Sequence, residues 1–300
     1  MNSIKKQYNT VVSQAKKGVP GFANAYSKFI EKVTINQSSK SLIVNYSRSL
    51  AYVALHFNRS PHQVSVDEIN AYLYRMMTQE QCSLTYFKHA VFALRYWFRL
   101  FDMEDKAIQM PPVKKQKKLP VVLSKPECKE LFKAPRSLKH KFLLSFAYGS
   151  GLRMNELRML KLSDLDLQRL QVLVRQGKGR KDRYAPLSKL IAQKLPLYLE
   201  TVKPQLYLFE GNTPGQPMGE RSIQYIINEA LPKTGINKQV SMHTLRHSFA
   251  THLLEDGIDI HSIQHLLGHS DLITTMVYLH VAQVKIKQVH SPLDSLYNLL

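Results

Sequence analysis

Residues 111–120 are the segment that most restricts how this chain can fold. Three prolines and four lysines fall within these ten positions. Proline removes a backbone donor and is disfavoured inside helices and strands, and lysine is rarely buried. We therefore predict an extended linker over residues 111–123, between a first domain at 1–110 and a second that begins at 124. The lysines Lys114, Lys115, Lys117 and Lys118 are candidates for contacts along a phosphate backbone, although a merely solvated charge run is equally consistent with them.

The first domain is predicted to be helical. Ser65 and Glu68 have the spacing of a capping box, Ser38 is a candidate N-cap, and a further helix is expected from Ser83 to Leu100. Helical spacing of the apolar residues favours a core over a base-stacking surface. These residues are Leu42, Tyr46, Leu50, Leu55, Ile69, Tyr72, Met76, Phe87, Val91, Leu94 and Phe98.

The second domain is also predicted to be helical, with one β-hairpin. Ser124 and Glu127 form a second capping box, with Pro126 in the first turn. Residues 170–176 and 182–187 are expected to pair as strands across a turn at 177–179. The predicted fold class is thus mainly α, with a small β-hairpin or sheet in the second domain. The hairpin tip carries Arg175, Lys178, Arg180, Lys181 and Arg183.

The charge balance points to a polyanionic partner. Lysine and arginine number 42 against 22 acidic residues, which gives a net charge of +20 and a pI of about 9.8. The excess is +7 in residues 1–110 and +13 in the remainder, so no detachable tail explains it. Nucleic acid is the expected partner. No membrane segment or lipidation signal is apparent, and the two cysteines fit a reducing, cytoplasmic location better than a disulfide framework.

Four stretches place polar side chains where helix ends would display them. Arg153 and Glu156 follow a glycine turn, and His243 and Arg246 share one face near a helix start, where an anion is favoured. Lys178 lies on the glycine-flanked hairpin turn. A second glycine turn, at Gly268, precedes His269. Ser270 is the expected cap of the following helix, and Tyr278 lies in that helix. Taken singly, each residue has an ordinary structural explanation: an ion pair, a solvated lysine or a core tyrosine.

Three histidines have a spacing that a metal site could use. His261, His265 and His269 are spaced four apart, but Gly268 interrupts the helix before the third, and no acidic cluster accompanies them. Gly177-Lys-Gly also lacks the spacing of a phosphate-binding P-loop. We expect neither a metal nor a nucleotide cofactor.

Taken in chain order, these stretches resemble the tyrosine recombinase and integrase family, which includes the Xer recombinases, lambda-type integrases and integron integrases. Five residue types occur in the family's order over about 125 residues, which makes the match specific. The matching motifs are the first arginine box at 151–157, the hairpin lysine Lys178, the His-x-x-Arg box at 243–246, the Leu-Gly-His turn at 267–269, and Tyr278 nine residues after that histidine.

The resemblance implies a role for each motif residue. Arg153 and Arg246 would stabilise charge on the phosphate, and Tyr278 would attack phosphorus to form a 3′-phosphotyrosyl link without metal or ATP. Lys178 would protonate the departing 5′ oxygen, and His243 would help to take the tyrosine proton. His269 would hydrogen-bond the phosphate, and Glu156 would orient these groups without reacting.

The resemblance also implies an assembly. The expected architecture is a two-domain DNA clamp: a helical core-binding domain of SAM-like type at 1–110 and a catalytic domain at 124–285. An apolar helix at 286–300 would dock on a neighbouring protomer. The partners of the protein would be duplex DNA with inverted-repeat sites and three further copies of the same chain in a tetramer. Accessory proteins are also possible.

Three functions remain open on the sequence. A site-specific recombinase explains every motif, either as a mobile-element integrase, which the Ser291-Pro-Leu-Asp294 ending favours, or as an Xer-type enzyme resolving chromosome or plasmid dimers. A type IB topoisomerase shares the tyrosine and arginine chemistry but needs no oligomerising tail. A non-catalytic DNA-binding protein would have the charge but no reason to keep the full set of motif residues.

Overall fold

The computed structural model describes residues 2–79, 82–103, 119–175 and 182–282. The chain divides into two compact units, Met1–Gln116 and Lys117–Leu300, so the division falls inside the predicted linker. The predictions for Lys114, Lys115, Lys117, Lys118, Lys178, Arg180, Lys181 and the segment 286–300 lie outside the described residues.

The first unit is built from five α-helices in its described part. They are α1 (Asn2–Gly18), α2 (Phe22–Ile35), α3 (Lys40–Phe57), α4 (Val66–Thr78) and α5 (Leu84–Leu100), with a short 3₁₀ turn at Pro61–Gln63. The capping box of Ser65 and Glu68 is confirmed, and the helix expected from Ser83 begins one residue later, at Leu84, with Ser83 as its N-cap. The prediction of Ser38 as a cap is wrong by one residue, since Ser39 accepts the Leu42 amide at 3.2 Å.

The apolar face of these helices forms the core of the first unit. Phe87, Val91, Leu94 and Phe98 are all buried, which confirms that this stripe on α5 is core. Trp97 stacks on Phe22, with ring centroids 5.8 Å apart. Leu55, by contrast, is 36% exposed at the C-terminal end of α3.

The second unit combines helices with a small sheet. Its helices are α6 (Lys125–Lys133), α7 (Leu138–Ser150), α8 (Met154–Arg158), α9 (Lys189–Val202), α10 (Glu220–Ala230), α11 (Met242–Glu255), α12 (Ile260–Leu267) and α13 (Ile273–Met276). Short 3₁₀ turns lie at Leu162–Asp164, Leu231–Lys233 and Val277–His280. The capping box of Ser124 and Glu127 is confirmed at the start of α6.

The sheet has three antiparallel strands in the order β1-β2-β3. They are β1 (Leu165–Asp166), β2 (Gln171–Val174) and β3 (Arg183–Pro186). Val172 pairs with Ala185 and Val174 with Arg183, so the predicted hairpin is confirmed. Strand β1 was not predicted, because two residues are too few to show the alternation that identifies a strand. The fold class, mainly helical with a small sheet in the second unit, is therefore correct.

A glycine at the end of α7 controls how closely this helix packs against α11. Helix α7 ends at Gly151, whose φ of +61° is a left-handed conformation that favours glycine. A Cβ atom at this position would overlap the Phe249 ring on α11. The missing side chain of Gly151 therefore allows α7 and α11 to approach closely.

No helix in the described part of the chain is long and apolar enough to cross a membrane.

Replacing Gly151 with alanine tests this close approach. Gly235→Ala is the matched control, because Gly235 has a similar φ of +68° and no atom within 4 Å of an added Cβ. We expect Gly235→Ala to lower the free energy of unfolding by about 1 kcal/mol from backbone strain alone. Gly151→Ala should lower it by roughly 3 kcal/mol, because overpacking against Phe249 adds to that strain. Urea unfolding of both variants measures the difference, and equal losses would contradict the packing described.

Candidate active site

Three arginines converge on one carboxylate in the second unit. Arg153 precedes α8, Arg183 begins β3, and Arg246 lies in the second turn of α11. Glu156, on α8, accepts from Arg153 Nη1 at 2.8 Å and from the Arg153 backbone amide at 2.9 Å. Arg183 binds the same carboxylate with both Nη atoms, at 3.0 and 2.8 Å. Arg246 Nη1 is 3.9 Å from it, so three guanidinium groups surround one negative charge.

The same arginines also bind the end of helix α12. Arg183 Nε donates to the Leu266 carbonyl at 3.3 Å, Arg246 Nη2 donates to Leu267 at 2.7 Å, and Arg153 Nη2 donates to Gly268 at 3.1 Å. Carbonyls at a helix C-terminus lack intrahelical partners and carry partial negative charge, so cations are favoured there. The arginines therefore hold the α12 terminus against α8, β3 and α11.

Burial and charge set the ionisation of this cluster. Burial alone would raise the pKa of Glu156, but the Arg183 hydrogen bonds, the Arg153 amide and the Arg183 charge lower it to about 2. Burial lowers the pKa of Arg246 to about 10, and the nearby Arg153 charge acts in the same direction. Glu156 is thus ionised and Arg246 is protonated at neutral pH. The three arginines and Glu156 together leave two positive charges for an anion.

Tyr278 lies beside this cluster. It belongs to the 3₁₀ turn that follows α13, and only 1% of its surface is exposed. Burial raises its pKa, while the charges of Arg246 and Arg153 lower it, which places both arginines within electrostatic reach of the hydroxyl. Tyr278 is therefore a neutral phenol next to a cationic anion site.

The hydroxyl of Tyr278 is held by a histidine that the sequence analysis did not single out. Tyr278 Oη lies 3.1 Å from Nδ1 of His247 on α11. Burial lowers the pKa of His247 to about 4, with the neighbouring His243 and Arg246 acting in the same direction. The imidazole is neutral at pH 7, so the ring nitrogen that carries no proton can accept the Tyr278 hydroxyl proton in a hydrogen bond.

The other two predicted histidines lie at the edges of the cluster. His243 is exposed at the start of α11, and its ring centroid is 6.5 Å from that of His247. His269 follows Gly268 at the corner after α12, and its Nδ1 lies 2.9 Å from the buried Thr275 hydroxyl. Gly268 has a φ of +63°, and an added Cβ would lie 2.7 Å from Arg183 Cδ. The Leu-Gly-His turn therefore positions His269 and accommodates Arg183.

Two basic residues of the hairpin that were predicted as DNA-backbone contacts differ in their exposure. Arg183 was predicted as a DNA-backbone contact, but its side chain is only 9% exposed and pairs with Glu156. The prediction is wrong for this residue, because the strand alternation places Arg183 on the same side as the buried Ala185. Arg175 is 53% exposed and forms an ion pair with Asp164 at 2.7 Å, so its cationic side chain remains accessible.

The expected cap of the helix before Tyr278 is also corrected. Ser270 was predicted to cap the helix that carries Tyr278, but Asp271 accepts the Ile273 amide at 2.9 Å instead. Helix α13 begins three residues after Ser270, at Ile273.

Among the described residues, no group of three His, Cys, Asp or Glu side chains is arranged to hold a metal ion.

Comparison with known proteins identifies relatives over most of the chain. Residues 102–284 match the Phage integrase family. The putative integrase/recombinase y4qK of Sinorhizobium fredii is 34% identical, with 89% of this chain and 87% of that protein covered. The tyrosine recombinase XerC of Bacillus licheniformis is 32% identical over 89% of this chain and 95% of its own length. A lambda integrase tetramer bound to a Holliday junction shares the fold, with a TM-score of 0.65 and 17% identity over 89% of this chain and 79% of that chain.

Neutralising Glu156 tests whether this carboxylate holds the arginines. Because its pKa in the folded protein is lowered to about 2, its ionised form stabilises the fold above about pH 4.5, and this stabilisation is lost as the pH falls toward 2. We expect Glu156→Gln to lower the free energy of unfolding at neutral pH by about 3 kcal/mol, with the deficit shrinking in acid.

Glu130→Gln is the matched control for this measurement. Glu130 pairs with Lys133 at 3.0 Å, but its side chain is 57% exposed. A surface pair of this kind contributes about 0–1 kcal/mol. Urea unfolding across the acidic range compares the two variants. A Glu156→Gln loss no greater than that of Glu130→Gln, or one independent of pH, would contradict the proposed role of the carboxylate.

A double-mutant cycle tests the contact between His247 and Tyr278. His247→Leu leaves a buried hydroxyl without its acceptor, which should lower the free energy of unfolding by about 2 kcal/mol. Adding Tyr278→Phe removes that hydroxyl, so we expect a coupling energy of about 1 kcal/mol between the two sites.

A second tyrosine–histidine pair, whose histidine also lies on α11, supplies the control. Tyr148 Oη lies 2.8 Å from Nδ1 of His252. The crossed cycle of His252→Leu with Tyr278→Phe should be additive within about 0.5 kcal/mol, because those groups share no hydrogen bond. Chemical unfolding measures both cycles, and equal coupling in the two would rule out a specific His247–Tyr278 interaction.

Proposed function

The chain belongs to the phage integrase family, the tyrosine recombinases that cleave and rejoin DNA, and on that premise we propose how its residues perform the reaction. The proposed activity is site-specific recombination of duplex DNA through a 3′-phosphotyrosyl intermediate and a Holliday junction. The observation that carries the assignment is the placement of Tyr278, whose hydroxyl is bonded to His247 and lies within electrostatic reach of Arg246 and Arg153.

The arginine cluster is proposed to bind the scissile phosphate. Arg153 and Arg246 use only some of their N–H groups on protein acceptors, and a guanidinium has five. The remaining N–H groups suit the nonbridging oxygens, where negative charge increases during transfer. His269, at the corner after α12, would add a hydrogen bond to the same phosphate. Lysine would not replace either arginine, because it lacks the planar fork that holds several acceptors together.

The proposed chemical step exchanges one phosphoester for another. Tyr278 Oη forms a bond to phosphorus, the bond from phosphorus to the 5′ oxygen breaks, and the DNA 3′ end remains attached to the tyrosine. The tyrosine proton passes to a histidine: His243 is the residue that the family resemblance implies, and His247 is the one in contact. Lys178 would supply a proton to the 5′ oxygen. Attack by a 5′ hydroxyl reverses these steps and rejoins DNA without ATP.

The burial of Tyr278 adds a requirement to this mechanism. A phosphodiester cannot reach a hydroxyl on a residue that is 1% exposed, and Arg246, at 3%, is covered in the same way. The 3₁₀ turn at Val277–His280 must therefore shift when DNA binds, and the hydroxyl either keeps its hydrogen bond to His247 or exchanges it for one to His243. The resting site thus keeps the nucleophile neutral and covered until a phosphate occupies the arginine cluster.

The proposed assembly on DNA is based on the family of the chain and on the fold that it shares with a lambda integrase. We propose a homotetramer on two inverted-repeat DNA sites, as the shared fold with the tetrameric lambda integrase supports. Both units would contact the duplex, with Lys114, Lys115, Lys117, Lys118, Arg175, Arg180 and Lys181 as backbone candidates. The segment 286–300 would dock on a neighbouring protomer. The proposed location is the cytoplasm, and accessory proteins are compatible with this plan.

The proposed biological role is movement of a mobile element. The similarity to the putative integrase/recombinase y4qK, together with the Ser291-Pro-Leu-Asp294 ending, supports this role. The comparable identity to a XerC protein over 95% of its length favours dimer resolution as the second candidate. The DNA sites that the protein cuts distinguish the two roles, since they would lie at element ends or at a single chromosomal locus.

Covalent capture of DNA tests the nucleophile. Purified protein is mixed with fragmented DNA of the source genome, the reaction is stopped with detergent, and attached DNA is sequenced. We expect wild-type protein to attach at a few inverted-repeat sites, in EDTA as well as without it. Tyr278→Phe should abolish attachment, because it removes the attacking oxygen, while leaving DNA binding intact.

Tyr148→Phe is the matched control for this experiment. Both tyrosines bond to a histidine on α11, but only the pKa of Tyr278 is affected by the charges of Arg153 and Arg246. Tyr148→Phe should therefore retain attachment. Persistent attachment by Tyr278→Phe would overturn the assignment, and scattered attachment by wild type would favour a topoisomerase. Attachment only in the presence of magnesium would indicate a different mechanism.

A further inference from the structure

Each nitrogen of the Arg183 guanidinium donates to an acceptor of the protein itself. Nη1 and Nη2 bind the two oxygens of Glu156 at 3.0 and 2.8 Å, and Nε binds the Leu266 carbonyl at 3.3 Å. The Arg183 side chain is 9% exposed, compared with 24% for that of Arg153. Arg183 is therefore placed to hold other groups, while Arg153 is the more accessible of the two to a phosphate.

Arg153 shares both of these acceptors. Glu156 Oε1 accepts from Arg153 Nη1 at 2.8 Å as well as from Arg183, and Glu156 Oε2 accepts from the Arg153 backbone amide at 2.9 Å as well as from Arg183. Arg153 Nη2 donates to the Gly268 carbonyl, two residues after the carbonyl that Arg183 binds. These contacts form a closed hydrogen-bonded ring, which runs from Arg183 through Glu156 and Arg153 to the end of α12 and back.

The hydrogen-bonded ring fixes the Arg153 guanidinium more firmly than a single ion pair would. A carboxylate that accepts from one N–H group can still rotate, whereas the two-pronged contact with Arg183 sets the plane of Glu156. The Glu156 side chain is only 9% exposed, so water replaces a lost partner poorly. The position of Arg153 therefore depends on Arg183, although two guanidinium groups cannot hydrogen-bond each other.

The glycine of the Leu-Gly-His turn leaves room for the hydrogen-bonded ring. A Cβ atom at Gly268 would lie 2.7 Å from Arg183 Cδ and 2.8 Å from its Nε. Any side chain here would displace Arg183, which three hydrogen bonds hold in place, besides straining the backbone at a φ of +63°. Gly268 and Arg183 are therefore two separate points at which the same ring can be opened.

We propose that Arg183 is a positioning residue for DNA cleavage, which acts through Glu156 and the end of α12 to hold Arg153 where it meets the scissile phosphate. Arg183 itself is assigned no contact with DNA. The inference rests on the proposed recombinase function and adds to it a residue outside the motifs that identify the family. The two alternatives are that Arg183 binds the phosphate directly and that it is only a structural ion pair.

The rate constant of covalent attachment tests this role, in single-turnover reactions of the full chain with the DNA sites found by covalent capture. We expect Arg183→Gln to lower the rate constant about 100-fold, because a small displacement of a phosphate-binding group is costly. Arg153→Gln should lower it roughly 10²–10³-fold. The double variant should match Arg153→Gln within about twofold, since Arg183 then has nothing left to position.

Two other results would overturn the proposal. Losses that multiply, which would place the double variant roughly 10⁴-fold or more below wild type, would indicate that Arg183 binds the phosphate itself. An unchanged rate constant with a smaller reacting fraction of protein would indicate a purely structural ion pair.

Two further variants open the hydrogen-bonded ring in other ways. Arg183→Lys keeps the charge beside Glu156, which protects the fold if Arg183→Gln proves unstable. It should still lower the rate constant about tenfold, because lysine lacks the planar fork that binds both carboxylate oxygens. Gly268→Ala should also slow attachment, because the added methyl group displaces Arg183. A wild-type rate constant in both variants would overturn the positioning role.

Arg158→Gln is the matched control. Arg158 lies on α8, two residues after Glu156, and its side chain is 21% exposed. It donates to the Met218 carbonyl at 2.9 Å, outside the hydrogen-bonded ring. Its replacement should lower stability but leave the rate constant equal to that of wild type. Equal slowing by Arg158→Gln and Arg183→Gln would show that the effect is not specific to the ring.

The Nε–H resonance of Arg153, assigned by its loss in Arg153→Lys, gives a readout that needs no reaction. We expect it to shift in Arg183→Lys, where the charge is kept, and to stay in place in Arg158→Gln. An unchanged resonance in Arg183→Lys would overturn the positioning role. If wild-type protein attaches to no DNA while this resonance shifts, the proposed function is wrong and Arg183 still positions Arg153. If wild-type protein and Arg183→Gln attach at the same rate, only the positioning role fails.

Discussion

The arrangement of the second unit depends on the ion pairs that Glu156 makes with its arginines. The carboxylate binds Arg153 and Arg183 directly and lies near Arg246. The same three guanidinium groups bind the successive carbonyls of Leu266, Leu267 and Gly268. Arg153 and Arg246, the two groups proposed to bind the phosphate, therefore belong to the same network that joins α8, β3, α11 and α12. Because their positions are fixed before substrate arrives, little reorganisation is needed when charge develops.

Tyr278, the proposed nucleophile, is held in a different way, mainly by its burial in an apolar cluster that includes Phe249 and Leu267. Tyr278 follows the four-residue helix α13 in a single 3₁₀ turn, and its hydroxyl contacts one neutral histidine. A short segment with few hydrogen bonds opens more readily than a long helix, although moving Tyr278 also exposes its buried ring. In the proposed mechanism the rigid cationic site binds the phosphate. Attack follows only when DNA binding has moved the neutral tyrosine.

The sequence predicted the motif residues better than their contacts. Arg153, Arg246, His269 and Tyr278 could be identified because the Gly-x-Arg, His-x-x-Arg and Leu-Gly-His patterns are local in the chain. Arg183 and His247 could not, since their roles depend on long-range contacts with Glu156 and Tyr278. The sequence places Arg183 among the basic residues of a hairpin tip, whereas its alternation with the exposed Tyr184 places its side chain on the inner face of the sheet. Capping boxes were predicted correctly at Ser65 and Ser124 because both partners lie within four residues.

The central claim is that Tyr278 attacks phosphorus and retains the DNA 3′ end. The most direct test is mass spectrometry of the covalent complex after nuclease and protease digestion, which identifies both the modified residue and the linked nucleotide end. The account predicts a nucleotide joined through its 3′ phosphate to Tyr278. An adduct on Tyr148 or any other residue, or a linkage through a 5′ phosphate, would contradict it.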